Sequence, residues 1–346
     1  MSKYIVTGGA GFLGANLCRR LLADDHQVLC LDDFSTGKER NITELKDHNN
    51  FSFLNHDLTK SFFPEEADAI FNLASPASPV HYQFNPIRTL KMGTLAIYNV
   101  LGIATRLKIP VLQASTSEVY GMSPDKEFDP DNTNLVLGPI NKPRWIYSCA
   151  KQMMDRVIHA YGQEYGLQYT LFRPFNWIGS GLDSFNSSKE GSSRVITQFF
   201  GNIARGEPIK LVDGGLQRRS FTDVSDGIEA LIKIIENKNN IADGKIYNIG
   251  NPYNDLSIKE LANKMIKMAI NFPEYKTSAL NVNLIEVTSK DYYGEGYQDM
   301  QKRVPFIKNT QEDLDWSPKV TFEESLTKIF EAYKANILSA IDELQQ

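Results

Sequence analysis

A glycine-rich loop close to the first residue constrains the fold of this chain more than any other feature. The segment TGGAGFLG follows a short β-branched run, YIVT, at 4–7 and precedes a helical pattern over about 15–22. Glycines between a strand and a helix allow a tight turn and bring the backbone close to a pyrophosphate, which the helix N-terminus then binds. The pattern therefore predicts a dinucleotide site. We expect it to use Gly8, Gly11, Phe12, Leu13 and Gly14.

Two carboxylates farther along the chain indicate which dinucleotide would bind. The run VLCLDD at 28–33 is typical of a second strand, and Asp32 lies near its end. A carboxylate there accepts hydrogen bonds from the ribose hydroxyls and repels a 2′-phosphate, so we predict NAD rather than NADP as the cofactor. The alternative is that Asp32 or Asp33 only caps the loop. Asp57 and the adjacent Leu58 are candidates for the adenine contact, although Asp57 also suits a simple turn.

Strand and helix patterns alternate over the first half of the chain. Apolar runs at 69–74, 110–115 and 168–174 indicate further strands, whereas 86–107 and 147–165 have helical spacing. Continuous apolar strands separated by helices predict an α/β fold, with a Rossmann-type, doubly wound parallel sheet covered on both faces.

The second half of the chain has a different pattern, which predicts a second domain. Residues 176–191 are rich in Gly, Ser and Asn and are typical of a loop, and beyond them helical segments mix with the short strands PIKLVD and KIYNIG. We predict a Rossmann NAD-binding domain over 1–175, to which 220–250 returns. A smaller C-terminal α/β substrate domain is expected over 176–346.

A tyrosine and a lysine in the motif YSCAK indicate the chemistry. Tyr147 and Lys151 lie at i and i+4 of a predicted helix and so on one face. An ammonium group beside a phenol lowers the pKa of the phenol, and oxidised nicotinamide lowers it further, so Tyr147 suits a general base. The pair also fits an ordinary surface helix. Thr116, in ASTSEVYG after a predicted strand, supplies a hydroxyl for the substrate oxygen, and the combination favours a dehydrogenase acting on a hydroxyl group.

Composition and charge argue against several other classes of protein. The net charge is −5, without the basic stripe of a nucleic-acid-binding protein. No apolar run approaches the roughly 20 residues that span a membrane, and the start MSKYIVTGG is typical of a strand and loop rather than a signal peptide. Cys18, Cys30 and Cys149 are too few and too scattered for a disulfide framework or a metal site. We therefore expect a soluble cytoplasmic protein with free thiols, no bound metal, and neither nucleic-acid nor membrane partners.

The glycine loop, Asp32, Thr116 and YxxxK occur in an order that resembles the extended short-chain dehydrogenase/reductase family over nearly the whole chain. Within that family the sequence looks most like the UDP-glucuronate decarboxylases, above all the decarboxylase domain of the bifunctional polymyxin-resistance enzyme of aminoarabinose synthesis. The motifs that carry this closer resemblance are STSEVYGM, NKPRWIYS, LFRPFNW, GSSRVITQ, PIKLVDGG, QRRSFTD, and YYGEGYQD with Arg303 behind it.

The resemblance implies roles for residues at matching positions. Glu118 would be the acid/base residue beside the sugar carboxylate, with Ser117 next to it, and Arg303 a general acid or a carboxylate clamp. Each of these has a simpler alternative, because Glu118 also fits a solvated strand end and Arg303 an exposed polar loop. The implied contacts to a UDP-sugar are those of Ala77, Tyr82, Arg144, Asn176, Arg194, Lys210, Arg219 and Tyr297. Arg194 also fits the cap of a helix turn.

The activity that the resemblance implies is NAD-dependent oxidative decarboxylation of UDP-glucuronate. Oxidation at C4′ creates a ketone β to the carboxylate, and loss of carbon dioxide then gives a UDP-4-keto-pentose, UDP-xylose, or both. The alternatives are a nucleotide-sugar 4-epimerase, a 4,6-dehydratase, or a nucleotide-sensing protein that keeps the fold without turnover. The family analogy also implies a homodimer formed through helices near 86–107 and 147–165.

Overall fold

The computed structural model describes residues 1–294 and 298–345 of the chain. The contacts divide the chain into two compact units. The first unit comprises Met1–Phe175, Val224–Gly250 and Pro305–Pro318, and the second comprises Asn176–Asp223, Asn251–Val304 and Lys319–Gln346. No helix in the described part of the chain is both long enough and apolar enough to cross a bilayer.

Short strands and helices alternate along both units. The strands are β1 (Lys3–Thr7), β2 (Gln27–Asp32), β3 (Phe51–Asn55), β4 (Ala69–Asn72), β5 (Val111–Ala114), β6 (Tyr169–Pro174), β7 (Trp177–Ile178), β8 (Ile209–Val212), β9 (Arg218–Ser220), β10 (Thr222–Asp223), β11 (Ile246–Ile249), β12 (Asp255–Ser257) and β13 (Leu284–Val287). The helices are α1 (Phe12–Ala23), α2 (Pro79–Phe84), α3 (Pro86–Lys91), α4 (Ile97–Leu107), α5 (Trp145–Tyr165), α6 (Val195–Arg205), α7 (Val224–Glu236), α8 (Ile258–Ala269), α9 (Pro273–Leu280), α10 (Ser289–Tyr293), α11 (Lys308–Leu314) and α12 (Phe322–Gln345).

A parallel sheet forms the centre of the first unit. Among the described residues it has seven strands in the order β11-β6-β5-β4-β1-β2-β3. The chain winds outward from β1 in one direction and from β4 in the other, so the strand order reverses between them. In such sheets the crevice outside the carboxyl ends of the strands, at the point of reversal, is where ligands bind. The predicted doubly wound α/β fold is confirmed.

The core of this unit explains why its strands are mainly apolar. Ile5, Ile70 and Val111 of three neighbouring strands join one buried cluster with Ile97 of α4 and Met154 of α5. Helices therefore cover the sheet, so its strands have apolar residues at positions where a strand with one solvated face would have polar residues.

The predicted helix over 86–107 is interrupted. Its middle segment, Met92–Ala96, is a π-helical turn between α3 and α4. Gly93 lies in that turn against α5, where a Cβ atom would stand 2.9 Å from the Cβ of Ala150. The close packing of two helices therefore coincides with the wider turn, a combination that the periodicity of apolar residues does not reveal.

The second unit is built from short strands and helices. β7 pairs with β10, β8 with β13, and β9 with β12. The prediction of a loop over 176–191 was wrong at Trp177–Ile178, which forms β7 by pairing with β10 far along the chain. Edge-to-face contacts join Phe200 of α6 to Tyr275 of α9 and Phe330 of α12, and these rings form the centre of its helical part.

Candidate active site

The glycine loop forms a tight turn between β1 and α1. Gly8 adopts φ +66°, and a Cβ atom there would stand 2.8 Å from the backbone of Ala74. A Cβ atom on Gly14 would stand 2.2 Å from the carbonyl oxygen of Gly8. The loop is therefore too tight for side chains at either position, and the first turn of α1 lies directly over it.

The N-terminus of α1 fits a diphosphate. Gly11 is the N-cap, no side chain caps the helix, and no acidic residue lies in its first turn. The first N–H groups of a helix have no acceptor within the helix, and the helix dipole adds a partial positive charge. Phe12, Leu13 and Gly14 contribute this first turn. These residues fit the phosphates of NAD, but their individual contacts remain predictions.

Asp32 closes the same loop from the end of β2. Its carboxylate accepts hydrogen bonds from the backbone N–H groups of Ala10 at 3.0 Å and Phe34 at 2.8 Å. Burial raises the pKa of Asp32, and these N–H groups oppose the shift. The loop-capping alternative is thus present in the structure. A carboxylate has about four acceptor positions, so capping leaves room for the predicted ribose contact.

Asp57 lies in a turn and an ion pair. Its Oδ1 accepts from the N–H and hydroxyl of Thr59, and its Oδ2 lies 3.4 Å from the Arg88 guanidinium, which also contacts Asp33. Partial burial by itself would raise the pKa of Asp57. The hydrogen bonds from Thr59 and the charge of Arg88 outweigh burial, so the pKa is lowered. The side chain of the neighbouring Leu58 is buried in the core, so an adenine contact at Leu58 would use its backbone.

Tyr147 and Lys151 lie on the buried face of α5. Tyr147 is 5% exposed and Lys151 is 2% exposed. The Lys151 ammonium donates to the carbonyl oxygen of Ala114 at 2.8 Å and lies 5.9 Å from the centre of the Tyr147 ring. Burial lowers the pKa of Lys151 to about 8, and the charge of Asp155 opposes that shift. The surface-pair alternative is wrong, because a surface pair would be solvated.

The turn after β5 brings the other predicted catalytic groups to α5. Thr116 caps the turn Ser117–Tyr120, and its hydroxyl oxygen accepts the Glu118 N–H at 3.2 Å. A hydroxyl that accepts in this way still has its own hydrogen to donate. Arg144, at the start of α5, donates to Oε1 of Glu118 at 3.2 Å. Glu118 is thus held by a buried cation rather than fully solvated.

Two predicted substrate residues lie on the segment after β4. The ring of Tyr82, in α2, stacks on the ring of Tyr147 with centroids 4.9 Å apart and an interplanar angle of 7°. Tyr82 is almost completely buried, so it limits the positions that the Tyr147 ring can take. Ala77 lies just before this helix, in an irregular stretch.

Two buried polar residues near this centre were not predicted. Asp155, one turn beyond Lys151, accepts from the Ser115 hydroxyl at 2.8 Å and from the Arg173 guanidinium at 3.1 Å. Its carboxylate therefore ties α5 to the ends of β5 and β6. Helical spacing from Tyr147 and Lys151 would have placed Asp155 on the same face, whereas no sequence signal indicated Arg173 as its partner.

Within the second unit, β9 brings together several predicted substrate residues. Asn176 donates to the Ser220 carbonyl at 2.9 Å, and the Ser220 hydroxyl donates to the Arg303 carbonyl at 3.2 Å. Arg219 donates to the Met300 carbonyl at 2.8 Å and pairs with Asp299 at 2.8 Å. Arg303 is buried, with 8% exposure, so the exposed-loop alternative for it is wrong.

Other predicted substrate residues lie elsewhere in this unit. Arg194 occupies the N-cap position of α6, but its side chain does not cap the helix, and its guanidinium lies 2.8 Å from an oxygen of Asp183. Lys210 is exposed on β8. Tyr297 lies outside the described residues. Within the described part of the chain, no group of three or more His, Cys, Asp or Glu side chains is arranged to hold a metal ion.

Comparisons with known proteins agree with this geometry. A sequence model described as the NAD dependent epimerase/dehydratase family matches residues 4–250. The crystal structure of the PbgP3 protein from Burkholderia pseudomallei is 46% identical, with 98% of each chain covered and a TM-score of 0.83.

Two more distant structures share the fold. UDP-glucose 4-epimerase from Thermotoga maritima, solved with UDP-glucose, is 23% identical, with 97% of this chain and 99% of that chain covered and a TM-score of 0.79. The dTDP-glucose 4,6-dehydratase from Bacillus anthracis, solved with NAD, is 22% identical, with 97% of each chain covered and a TM-score of 0.78.

Proposed function

Because this chain belongs to the NAD dependent epimerase/dehydratase family, we propose that it is an NAD-dependent UDP-glucuronate decarboxylase. NAD is the cofactor of the family, as the sequence predicted. In this proposal the first unit holds NAD through the glycine loop and Asp32. The resemblance assigns the UDP-sugar to further residues, among them Asn176, Arg219 and Arg303.

The observation that carries the proposal is the placement of Glu118 beside Thr116. In glucuronate, the C4′ hydroxyl and the carboxylate are attached to neighbouring carbons, so the groups acting on them must lie close together. Thr116 and Glu118 stand on one turn, joined by a hydrogen bond, and Arg144 fixes the carboxylate of Glu118. The arrangement suits an enzyme that oxidises one carbon and acts on the carboxylate of the next.

The oxidation step uses the buried residues of α5. NAD, when bound, accepts the hydride from C4′. Tyr147 takes the proton of the C4′ hydroxyl, Thr116 donates a hydrogen bond to the same oxygen, and the Lys151 ammonium stabilises the phenolate. Tyr82, stacked on Tyr147, limits the ring to one orientation. The product of this step is a 4-ketone that lies β to the carboxylate.

The decarboxylation step requires orientation more than strong acid or base chemistry. The bond between C5′ and the carboxyl carbon breaks and carbon dioxide leaves, while the electron pair of that bond stays on the sugar and forms an enolate with the 4-ketone. C5′ then takes up a proton in place of the carboxyl group. We assign Glu118 and the adjacent Ser117 to the proton transfer, and Arg303 to orienting the carboxylate. A guanidinium group stays charged at every physiological pH, so it suits the orienting role better than that of a proton donor.

Other reactions of the family fit the residues less well. The 4,6-dehydratases usually have an Asp–Glu pair where this chain has Ser117–Glu118, so the acid that would expel a 6-hydroxyl is replaced by a serine. A simple 4-epimerase has no need of a group placed for a carboxylate. A binding protein without turnover would not need Tyr147, Lys151, Thr116 and Glu118 together.

Product analysis tests the proposal directly. The protein is incubated with NAD and UDP-glucuronate labelled in its carboxyl group, with trapping of carbon dioxide and NMR of the sugar nucleotide. We expect labelled carbon dioxide and a UDP-4-keto-pentose, with UDP-xylose where the ketone is reduced again. Glu118→Gln, which keeps the shape of the side chain, should bind UDP-glucuronate but release no label. A six-carbon 4-epimer without labelled carbon dioxide would show instead that the protein is an epimerase.

A further inference from the structure

Three buried polar side chains on neighbouring strands form a hydrogen-bonded chain across the centre of the sheet. They are Thr7 at the end of β1, Asn72 at the end of β4 and Gln113 in β5, and none is more than 3% exposed. The Thr7 hydroxyl donates to Oδ1 of Asn72 at 2.6 Å, and Nδ2 of Asn72 donates to Oε1 of Gln113 at 2.6 Å. Nε2 of Gln113 then donates to the carbonyl oxygen of Ala114 at 2.7 Å.

This chain of hydrogen bonds ends at the acceptor of the Lys151 ammonium. The carbonyl oxygen of Ala114 accepts both from Nε2 of Gln113 and from Nζ of Lys151, the latter at 2.8 Å. Gln113 therefore fixes the orientation of the peptide group between Ala114 and Ser115. That peptide group leads directly into the turn with Thr116 and Glu118.

The other end of the chain lies beneath the dinucleotide loop. The Thr7 hydroxyl oxygen accepts the N–H groups of Leu73 and Ala74, at 3.2 and 3.3 Å. The backbone of Ala74 lies so close to Gly8 that a Cβ atom would not fit between them. The polar chain therefore connects the loop that fits the diphosphate with the acceptor that holds Lys151.

Sheet stability alone does not account for these residues. Apolar side chains of similar volume would fill the same space without the cost of burying polar groups. A fully paired polar network in a core instead holds its members in one arrangement.

We propose that Thr7, Asn72 and Gln113 are positioning residues of the oxidation step, which fix the Lys151 ammonium relative to the dinucleotide loop. The inference rests on the proposed role of the Tyr147–Lys151 pair. A small displacement of a reacting group costs up to about 100-fold in rate, so loss of the chain should lower kcat more than it raises KM.

A pair of substitutions separates positioning from stability. Gln113→Met and Asn72→Leu each leave a buried partner without its hydrogen bond, so each should lower the unfolding temperature. The double variant removes both members of the Asn72–Gln113 bond and should recover part of that loss, because only the Thr7 hydroxyl then loses its acceptor. We expect its kcat to stay about 10-fold or more below wild type, with KM for UDP-glucuronate nearly unchanged. Recovery of kcat together with stability would mean that the chain is only structural.

Milder variants at Thr7 provide a second readout that needs no sugar substrate. Thr7→Val keeps the volume but loses the hydroxyl, whereas Thr7→Ser keeps the hydroxyl. The dissociation constant of NAD, measured by protein fluorescence, should rise several-fold in Thr7→Val and stay near wild type in Thr7→Ser. Equal NAD affinity in Thr7→Val and wild type would overturn the proposed link to the loop.

The control is Thr170→Val, which removes a buried hydroxyl of β6 that donates to the Ala242 carbonyl at 2.7 Å. It should lower stability while leaving kcat and NAD affinity near wild type. Wild type and Tyr147→Phe are assayed alongside. If wild type proves inactive on UDP-glucuronate, the proposed function fails, while the NAD measurements on the Thr7 variants still support or overturn the link between the polar chain and the dinucleotide loop.

Discussion

At the scale of single residues, burial determines the chemistry that Tyr147 and Lys151 can perform. The Lys151 ammonium is nearly inaccessible to water, and its pKa is lowered to about 8. It has a carbonyl acceptor on β5 and a carboxylate, Asp155, one turn away on its own helix. An ammonium held in this way near a phenol favours the phenolate form of that phenol.

Replacement of the phenol is the most direct test of this centre. Tyr147→Phe removes the proton acceptor and keeps the ring that stacks on Tyr82. We expect a loss of about 100-fold or more in the rate of NADH formation, which is typical for a general base. The unfolding temperature should change little. A rate near wild type would remove Tyr147 from the mechanism.

The pH dependence of the rate should report Lys151. Its pKa is lowered to about 8, so the charged form predominates below that pH and is lost as the pH rises through it. The rate of oxidation should therefore decline above about pH 8. Asp155→Asn removes the charge that opposes this lowering, so the decline should begin at a lower pH. The groups that share this environment are Tyr147, Asp155 and Arg173, and an unchanged profile in Asp155→Asn would contradict the assignment.

At the scale of elements, one short strand of the second unit organises a segment that has no regular structure. The backbone N–H of Arg218 donates to the Gln301 carbonyl at 2.9 Å. The side chain of Arg219 holds Asp299 and the Met300 carbonyl, and Ser220 holds the Arg303 carbonyl. β9 thus fixes both ends of the segment from Asp299 to Arg303.

Arg219 should therefore affect decarboxylation because it helps to hold the segment that carries Arg303. This effect would add to any contact that Arg219 itself makes with the nucleotide. Arg219→Ala should raise KM for UDP-glucuronate and lower the ratio of carbon dioxide released to NADH formed. The matched control is Arg218→Ala on the same strand, whose guanidinium pairs instead with Asp255 and Glu260. Equal ratios in the two variants would show that the side chain of Arg219 does not position Arg303.

At the scale of the whole molecule, exposed apolar side chains on two helices of the first unit suggest how copies would associate. Tyr98 of α4 and Met153 of α5 are 47% and 42% exposed. The ring of Tyr98 contacts Tyr161 of α5, which contacts Tyr165 in turn. Exposed apolar patches commonly mark interfaces, and these helices are the ones that the family analogy predicted for a homodimer.

Charge placed on this face should separate the proposed dimer. We expect wild type to have the mass of a dimer by light scattering, and Tyr98→Glu combined with Met153→Glu to have that of a monomer, because burying two carboxylates at an interface is costly. Ile241→Glu serves as a control, since Ile241 is 37% exposed in the segment that follows α7. A monomeric wild type would contradict the proposal.

The sequence by itself determined the features whose partners lie close along the chain. The glycine loop follows its strand and precedes its helix within a few residues, and Tyr147 and Lys151 share one helical turn. Apolar runs separated by helical patterns determined the parallel sheet as well, because only a sheet covered on both faces buries such strands. The structure places Tyr147 and Lys151 on one buried face of α5, whereas the catalytic roles of these residues and their contacts with ligands remain predictions.

Only the tertiary structure decided which distant polar groups meet. Thr7, Asn72 and Gln113 come from strands that are far apart in the chain, and they become neighbours because β4 lies between β1 and β5 in the sheet. In the same way, Arg173 on β6 becomes the partner of Asp155 on α5. A buried polar residue has to be hydrogen-bonded, but spacing along a chain identifies its partner only within one element. Between elements, the partner depends on the order of the strands and on how the helices pack against them.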